Sequence, residues 1–173
     1  MLPFSPEVLL VRILLALLAC CTLAAPLAAA RPNSEISRID ATLDAFHHAA
    51  SVADETGYFD LLAPDAVFLG TDGTERWTKN EFRAYAHPYF SQGKGWTFTP
   101  RDRHVKVSKD GTAAWFDEML DSASYGECRG SGALQKIDGE WRIEQYNLSI
   151  PIPNGLAKEV VKRIGEEKSA QKK

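Results

Sequence analysis

With 173 residues, 45% of them hydrophobic and 25% charged, the chain has room for one ordinary domain and not for two. Its 20 Lys and Arg against 23 Asp and Glu give a formal net charge of -3 at pH 7, which excludes the basic surface that nucleic acid demands. Two of the three cysteines, Cys20 and Cys21, fall in the apolar N-terminal stretch, so Cys128 has no partner for an internal disulfide in the body of the chain.

Arg12 precedes an apolar run from Ile13 to Leu27, and Pro26 stands just ahead of Ala28, Ala29 and Ala30. The run is shorter than the ~20 residues of a membrane span and ends in small residues, the pattern of a secretory signal peptide over residues 1–30 with cleavage after Ala30. A competing pattern is Leu17-Leu18-Ala19-Cys20, which resembles a lipoprotein box and would make Cys20 a lipid tether. The expected location is therefore periplasmic or secreted, with a tethered lipoprotein as the alternative. A single domain is expected over 31–165, followed by a charged tail over 166–173.

Apolar residues at Ile36, Ile39, Leu43, Phe46 and Ala50 recur at helical spacing and predict a first helix over about 34–52. A short second helix is expected from Asp54 to Leu62, capped by Asp54 and stopped by Pro64. Val67 to Leu69 reads as a short strand. Thr78 and Glu81 have capping-box spacing, so a third helix starts at Thr78, and Pro88 is expected to kink or end it. Beyond Gly95 four strand-like segments follow, 96–108, 112–122, 125–137 and 140–150, with Asp110-Gly111 and Asp138-Gly139 as hairpin turns. A last amphipathic helix carries Leu156, Val160, Val161 and Ile164. Helices first and a meander afterwards define an α+β plan.

Several local stretches meet a known family: Gly70 to Thr78, Pro88-Tyr89-Phe90, Gly95-Trp96-Thr97, Pro100 to Val105, Ala114 to Glu118, Cys128 to Gly132 and Gln145 to Leu148. Together they resemble the SnoaL-like branch of the nuclear transport factor 2-like superfamily over about residues 33 to 160. The resemblance implies a cone-shaped α+β fold of the cystatin-like kind, in which a curved antiparallel sheet packs on N-terminal helices around one pocket. It also implies dimerisation through the sheet, as in many relatives. Members range from ketosteroid isomerase to small dehydratases and polyketide cyclases, so the fold leaves the activity open.

In such a pocket a carboxylate or histidine serves as base, its pKa tuned by low polarity. Strand alternation separates Trp115, Asp117 and Met119 from Phe116, Glu118 and Leu120, so one of Asp117 and Glu118 points inward. Asp117 beside Trp115 is the expected choice, against the simpler reading of an ion pair with Arg129 or Arg101. His104 is a third acid/base candidate, although it looks outward if Val105 and Val107 face the core. On the last strand Trp141, Ile143, Gln145 and Asn147 share a face, which predicts Gln145 and Asn147 in the pocket. Trp77 and Tyr85, among other aromatics, are expected to line an apolar cavity, with Trp115 and Arg129 as further ligand contacts. Cys128 reads as a small buried thiol rather than a nucleophile. His47 and His48 are adjacent and cannot form the one-face pair used for a metal, and none is expected. The functional expectation is a small-molecule pocket protein with cofactor-free acid/base chemistry; the alternative is an interaction module using the sheet face.

Overall fold

The computed structural model describes residues 34–171. The expected signal peptide, its cleavage site and the Cys20 tether lie outside the described residues.

Helix α1 (Glu35–Ser51) begins where the Ser34 hydroxyl accepts the amide of Ser37 at 3.2 Å, and it buries Ile39, Leu43, Phe46, His47 and Ala50 along one stripe. Its first turn is tied to the sheet through Glu35, whose Oε2 accepts from Trp141 Nε1 at 2.7 Å and lies 2.9 Å from Lys136 Nζ. Its last turn is crossed by the segment at Gly95. A side chain there would run into the Ala50 carbonyl, which instead accepts the Trp96 amide at 3.2 Å. The short helix α2 (Glu55–Asp60) is capped by Asp54 through the Gly57 amide at 2.9 Å.

Strand β1 (Leu62–Leu69) is longer than expected, because it begins before Pro64, at which the β1 pairing is irregular. The short strand β2 (Arg76–Thr78) was not expected from the sequence. Helix α3 (Lys79–Phe90) starts with a complete capping box between Thr78 and Glu81 and continues two residues past Pro88. The meander is β3 (Thr99–Val107), β4 (Ala113–Ser122), β5 (Gly126–Ile137) and β6 (Glu140–Ser149). Gly111, Asp138 and Gly139 have positive φ, as tight hairpin turns require.

The six strands form one sheet in the order β2-β1-β6-β5-β4-β3. The expected all-antiparallel sheet is corrected at one place, since β1 pairs with β6 in parallel. The long connection that such a pair needs is made by β2, α3 and the first three strands of the meander, which lie between β1 and β6 in the chain. The core lies between the helices and one face of the sheet. Fully buried there are Ile39, Leu43, Phe59, Leu120, Leu134 and Ile143, together with Cys128, whose thiol pKa is raised by burial. The last helix, α4 (Ala157–Ala170), buries none of its residues. No helix among the described residues is long and apolar enough to cross a membrane.

Candidate functional site

Two β-bulges decide which side chains enter the interior. On β3, Arg101 pairs with Met119 and His104 with Asp117, so three steps on one strand match two on the other, and Asp102 takes a φ of 50°. The extra residue puts Arg103, rather than Asp102, against the inward face of β4. On β6, Gln145 pairs with Ala133 but Ile143 with Leu134, which leaves Glu144 as the extra residue. Trp141 and Ile143 therefore point inward before the bulge, and Tyr146 and Leu148 after it.

The result is a buried polar cluster centred on Glu118, which is 1% exposed. Its Oε1 accepts from His47 Nε2 at 2.7 Å and from the Tyr146 hydroxyl at 3.3 Å, and its Oε2 accepts from Arg103 Nε at 2.7 Å. Arg103 Nη1 also donates to the Asp40 carbonyl at 3.1 Å and to Asp44 Oδ1 at 2.9 Å. Gly130, opposite Glu118 in the ladder, makes room for this. A Cβ there would collide with the Tyr146 hydroxyl and stand 3.1 Å from Glu118 Oε1.

Burial alone would push the Glu118 carboxyl up, but the hydrogen bond and charge of His47 and the charge of Arg103 outweigh it and hold its pKa below the ordinary 4.5. Glu118 is thus an ionised carboxylate already committed to three donors, a poor proton acceptor. Burial, then the adjacent Glu118 charge, keeps the Tyr146 phenol neutral to well above its ordinary pKa, and burial does the same for Tyr58. Because a carboxylate only accepts, the His47 nitrogen facing it carries a proton. Nδ1 of His47 has no hydrogen-bond partner among the described residues.

Beside this cluster opens an aromatic cleft of about 250 Å³, with Trp77, Phe82, Tyr85 and Tyr89 on one side and Trp96, Phe98 and Tyr125 around the rest. Rings on the α3 side are stacked: Trp77 lies 5.0 Å from Tyr85 with planes 21° apart, and Phe68 lies 3.9 Å from Phe82 at 16°. A second void of about 20 Å³, room for a single water, shares Phe68, Trp96, Phe98 and Leu148 with the cleft and is also lined by His47, Tyr58 and Tyr146. The cleft and the polar cluster thus meet through common walls.

Trp77 and Tyr85 line the cleft. The expectation that Asp117 enters the interior is corrected, since Trp115 (51% exposed) and Asp117 both lie on the outer face of the sheet and Glu118 points inward instead. Its cationic partner is Arg103, not Arg129 or Arg101. Arg101 is occupied by Asp102, Asp121 and Glu127, and Arg129 is exposed beside Met119. Gln145 is exposed and Asn147 lies with it on the outer face, because the bulge at Glu144 reverses the alternation. His104 is exposed too, its Nδ1 3.2 Å from the Asp102 carbonyl.

Arg103, Tyr146 and the role of His47 were not expected from the sequence. Arg103 shares its alternation with Val105 and Val107 and was legible as inward on that ground. His47 stands four residues after Leu43 on the buried stripe of α1. Tyr146 carried no such signal, because only the bulge turns it inward.

The architecture defines a helix-covered, curved α+β domain with an aromatic cleft. The SnoaL-like domain signature matches residues 39–153, and the chain belongs to the SnoaL-like branch of the nuclear transport factor 2-like superfamily. No curated protein matches the chain in sequence. Among solved structures, a nuclear transport factor 2-like protein of unknown function from Pseudomonas putida KT2440 is similar at 16% identity and TM-score 0.58, over 68% of this chain and 87% of that one. A protein of the same family from Streptomyces avermitilis, provisionally assigned as a dehydratase, is similar at 13% identity and TM-score 0.60, over 70% and 99%. A provisionally assigned scytalone dehydratase from Novosphingobium aromaticivorans DSM 12444 is similar at 10% identity and TM-score 0.56, over 68% and 85%. At these identities the likeness is one of fold.

Proposed function

We propose that the domain binds a small, partly apolar molecule in the aromatic cleft and that His47, held by Glu118, is the group that exchanges a proton with it, without a cofactor. The observation that carries this reading is the continuity of lining between the cleft and the void at His47, Tyr58 and Tyr146. The inner void takes one oxygen-sized group. A hydroxyl or carbonyl on the ligand would sit there between neutral phenols and the imidazole, where low polarity strengthens each hydrogen bond. Provisional dehydratase assignments of two proteins of like fold are consistent with such chemistry. Export, free or tethered at Cys20, belongs to the same proposal, and N-terminal sequencing of the mature protein from its host tests it.

The test of the site uses 2-tetralone, a two-ring ketone with exchangeable protons beside its carbonyl. Saturable quenching of tryptophan fluorescence is expected, weakened at least about tenfold by Trp77→Ala, which removes a stacking wall. Exchange of those protons in D2O is expected to be accelerated by the native protein and lost in His47→Gln, which still donates to Glu118 but cannot relay a proton. Equal exchange in the two proteins would sink the role of His47, and absence of saturable binding would sink the cleft. A second reading, self-association or partner binding through the outer sheet face, draws on Trp115, 51% exposed and paired across the strands with Lys106 and Ala133.

A further inference from the structure

The mouth of the cleft has an electrostatic character that an ordinary apolar pocket lacks. Its lining contains one charged side chain, Glu75, and no lysine, arginine or histidine. None of the ion pairs among the described residues includes Glu75, although the chain pairs most of its other half-buried carboxylates. The carboxylate is held in place: Glu75 Oε2 accepts the Asp72 amide at 3.1 Å, and the backbone of Glu75 closes the turn with Gly70 at 2.9 Å and Asp72 at 3.0 Å. Its Oε1 has no protein partner among the described residues.

Around it stand electron-rich rings. Tyr85 and Tyr89 are 5.8 Å apart, Trp77 stacks on Tyr85, and Phe98 lies parallel to Tyr125 at 6.5 Å. The phenol of Tyr85 is pushed up by burial and then by the proximity of Tyr89, Glu75 and Tyr125, so these groups lie within electrostatic reach of one another. Aromatic faces attract cations, and a carboxylate among them deepens the same potential. An apolar group seated over Glu75 would strip water from the carboxylate and return nothing; an ammonium group would replace that water with an opposite charge.

We propose that the molecule taken by this cleft is an organic cation, its ammonium head caged by Trp77, Tyr85, Tyr89 and Tyr125 with Glu75 as counter-ion. This deepens the reading of the cleft as a ligand site and rests on it. The head group lies at the mouth and the remainder of the molecule extends toward the void at His47.

The test compares choline with 3,3-dimethylbutan-1-ol, which has the same shape without the charge, titrated against the full protein by tryptophan fluorescence and saturation-transfer NMR. Choline is expected to bind at least about tenfold more tightly, a modest cation-aromatic contact and the Glu75 counter-charge acting together. Glu75→Gln, which keeps an oxygen for the Asp72 amide, is expected to reduce that ratio to about threefold or less, with an unchanged circular dichroism spectrum as the check on folding. Equal affinities for the two probes, or a preference for choline unaltered in Glu75→Gln, would overturn the proposal. If neither probe binds while 2-tetralone does, the cation cage fails and the cleft stands. If none of the three binds, both readings fall together.

Discussion

Glu118 is the residue on which the interior turns, and Glu118→Gln is the perturbation that measures it. The substitution leaves the shape nearly intact but removes the charge that compensates Arg103, whose side chain is only 11% exposed and whose Nη2 is buried without a partner. Breaking a buried pair on one side costs about 3–5 kcal/mol, because the guanidinium loses its buried counter-charge and keeps only the solvent-exposed carboxylates of Asp44 and Asp40 as partners. For a domain of roughly 140 residues the unfolding entropy near the midpoint converts this to a fall in Tm of about 10–17 °C. The assay is thermal and urea unfolding followed by circular dichroism, with Arg103→Met and the double variant Arg103→Met/Glu118→Gln alongside. The double variant is expected to be more stable than Glu118→Gln alone, since no arginine is left without its buried counter-charge. A loss below about 1 kcal/mol in Glu118→Gln, or additive losses in the double variant, would refute the buried-pair account.

Acid should act through the same group. The pKa of Glu118 is lowered in the folded state, so its contribution is present above about pH 4.5 and fades as pH falls through the lower folded value; the double variant should lose that component of the acid-unfolding curve. Gly130→Ala is expected to cost about 1–3 kcal/mol through overlap with the Tyr146 hydroxyl, and Tyr146→Phe in the same chain should recover part of the loss, as measured by urea midpoints. Thr78→Ala removes the side-chain half of the α3 capping box and should lower stability by about 1 kcal/mol without altering binding of 2-tetralone.

How much of this was legible in the sequence depended on whether a feature is local. The period of α1, the Asp54 cap and the Thr78-Glu81 box lie within a few residues of one another, and the helices begin where those signals place them. The Asp110-Gly111 and Asp138-Gly139 turns fix the hairpins for the same reason. On β4, which carries no bulge, alternation correctly separates Asp117 from Glu118, but alternation alone does not say which face is covered. Helix α1 decides that by packing His47 against Glu118.

Elsewhere the periodicity breaks. A single extra residue in β6 reverses every side chain beyond it, so Gln145 and Asn147 leave the interior and Tyr146 enters, and the extra residue at Asp102 sets Arg103 against Glu118. A bulge is a property of two paired strands and leaves little mark on either one alone. The sequence by itself determined the family, the α+β plan, the caps and turns, and the supply of aromatics and carboxylates. Tertiary structure decided the strand faces, the parallel β1-β6 pair and the meeting of His47, Arg103, Glu118 and Tyr146, because those contacts join residues distant in the chain whose phase only pairing and packing can set.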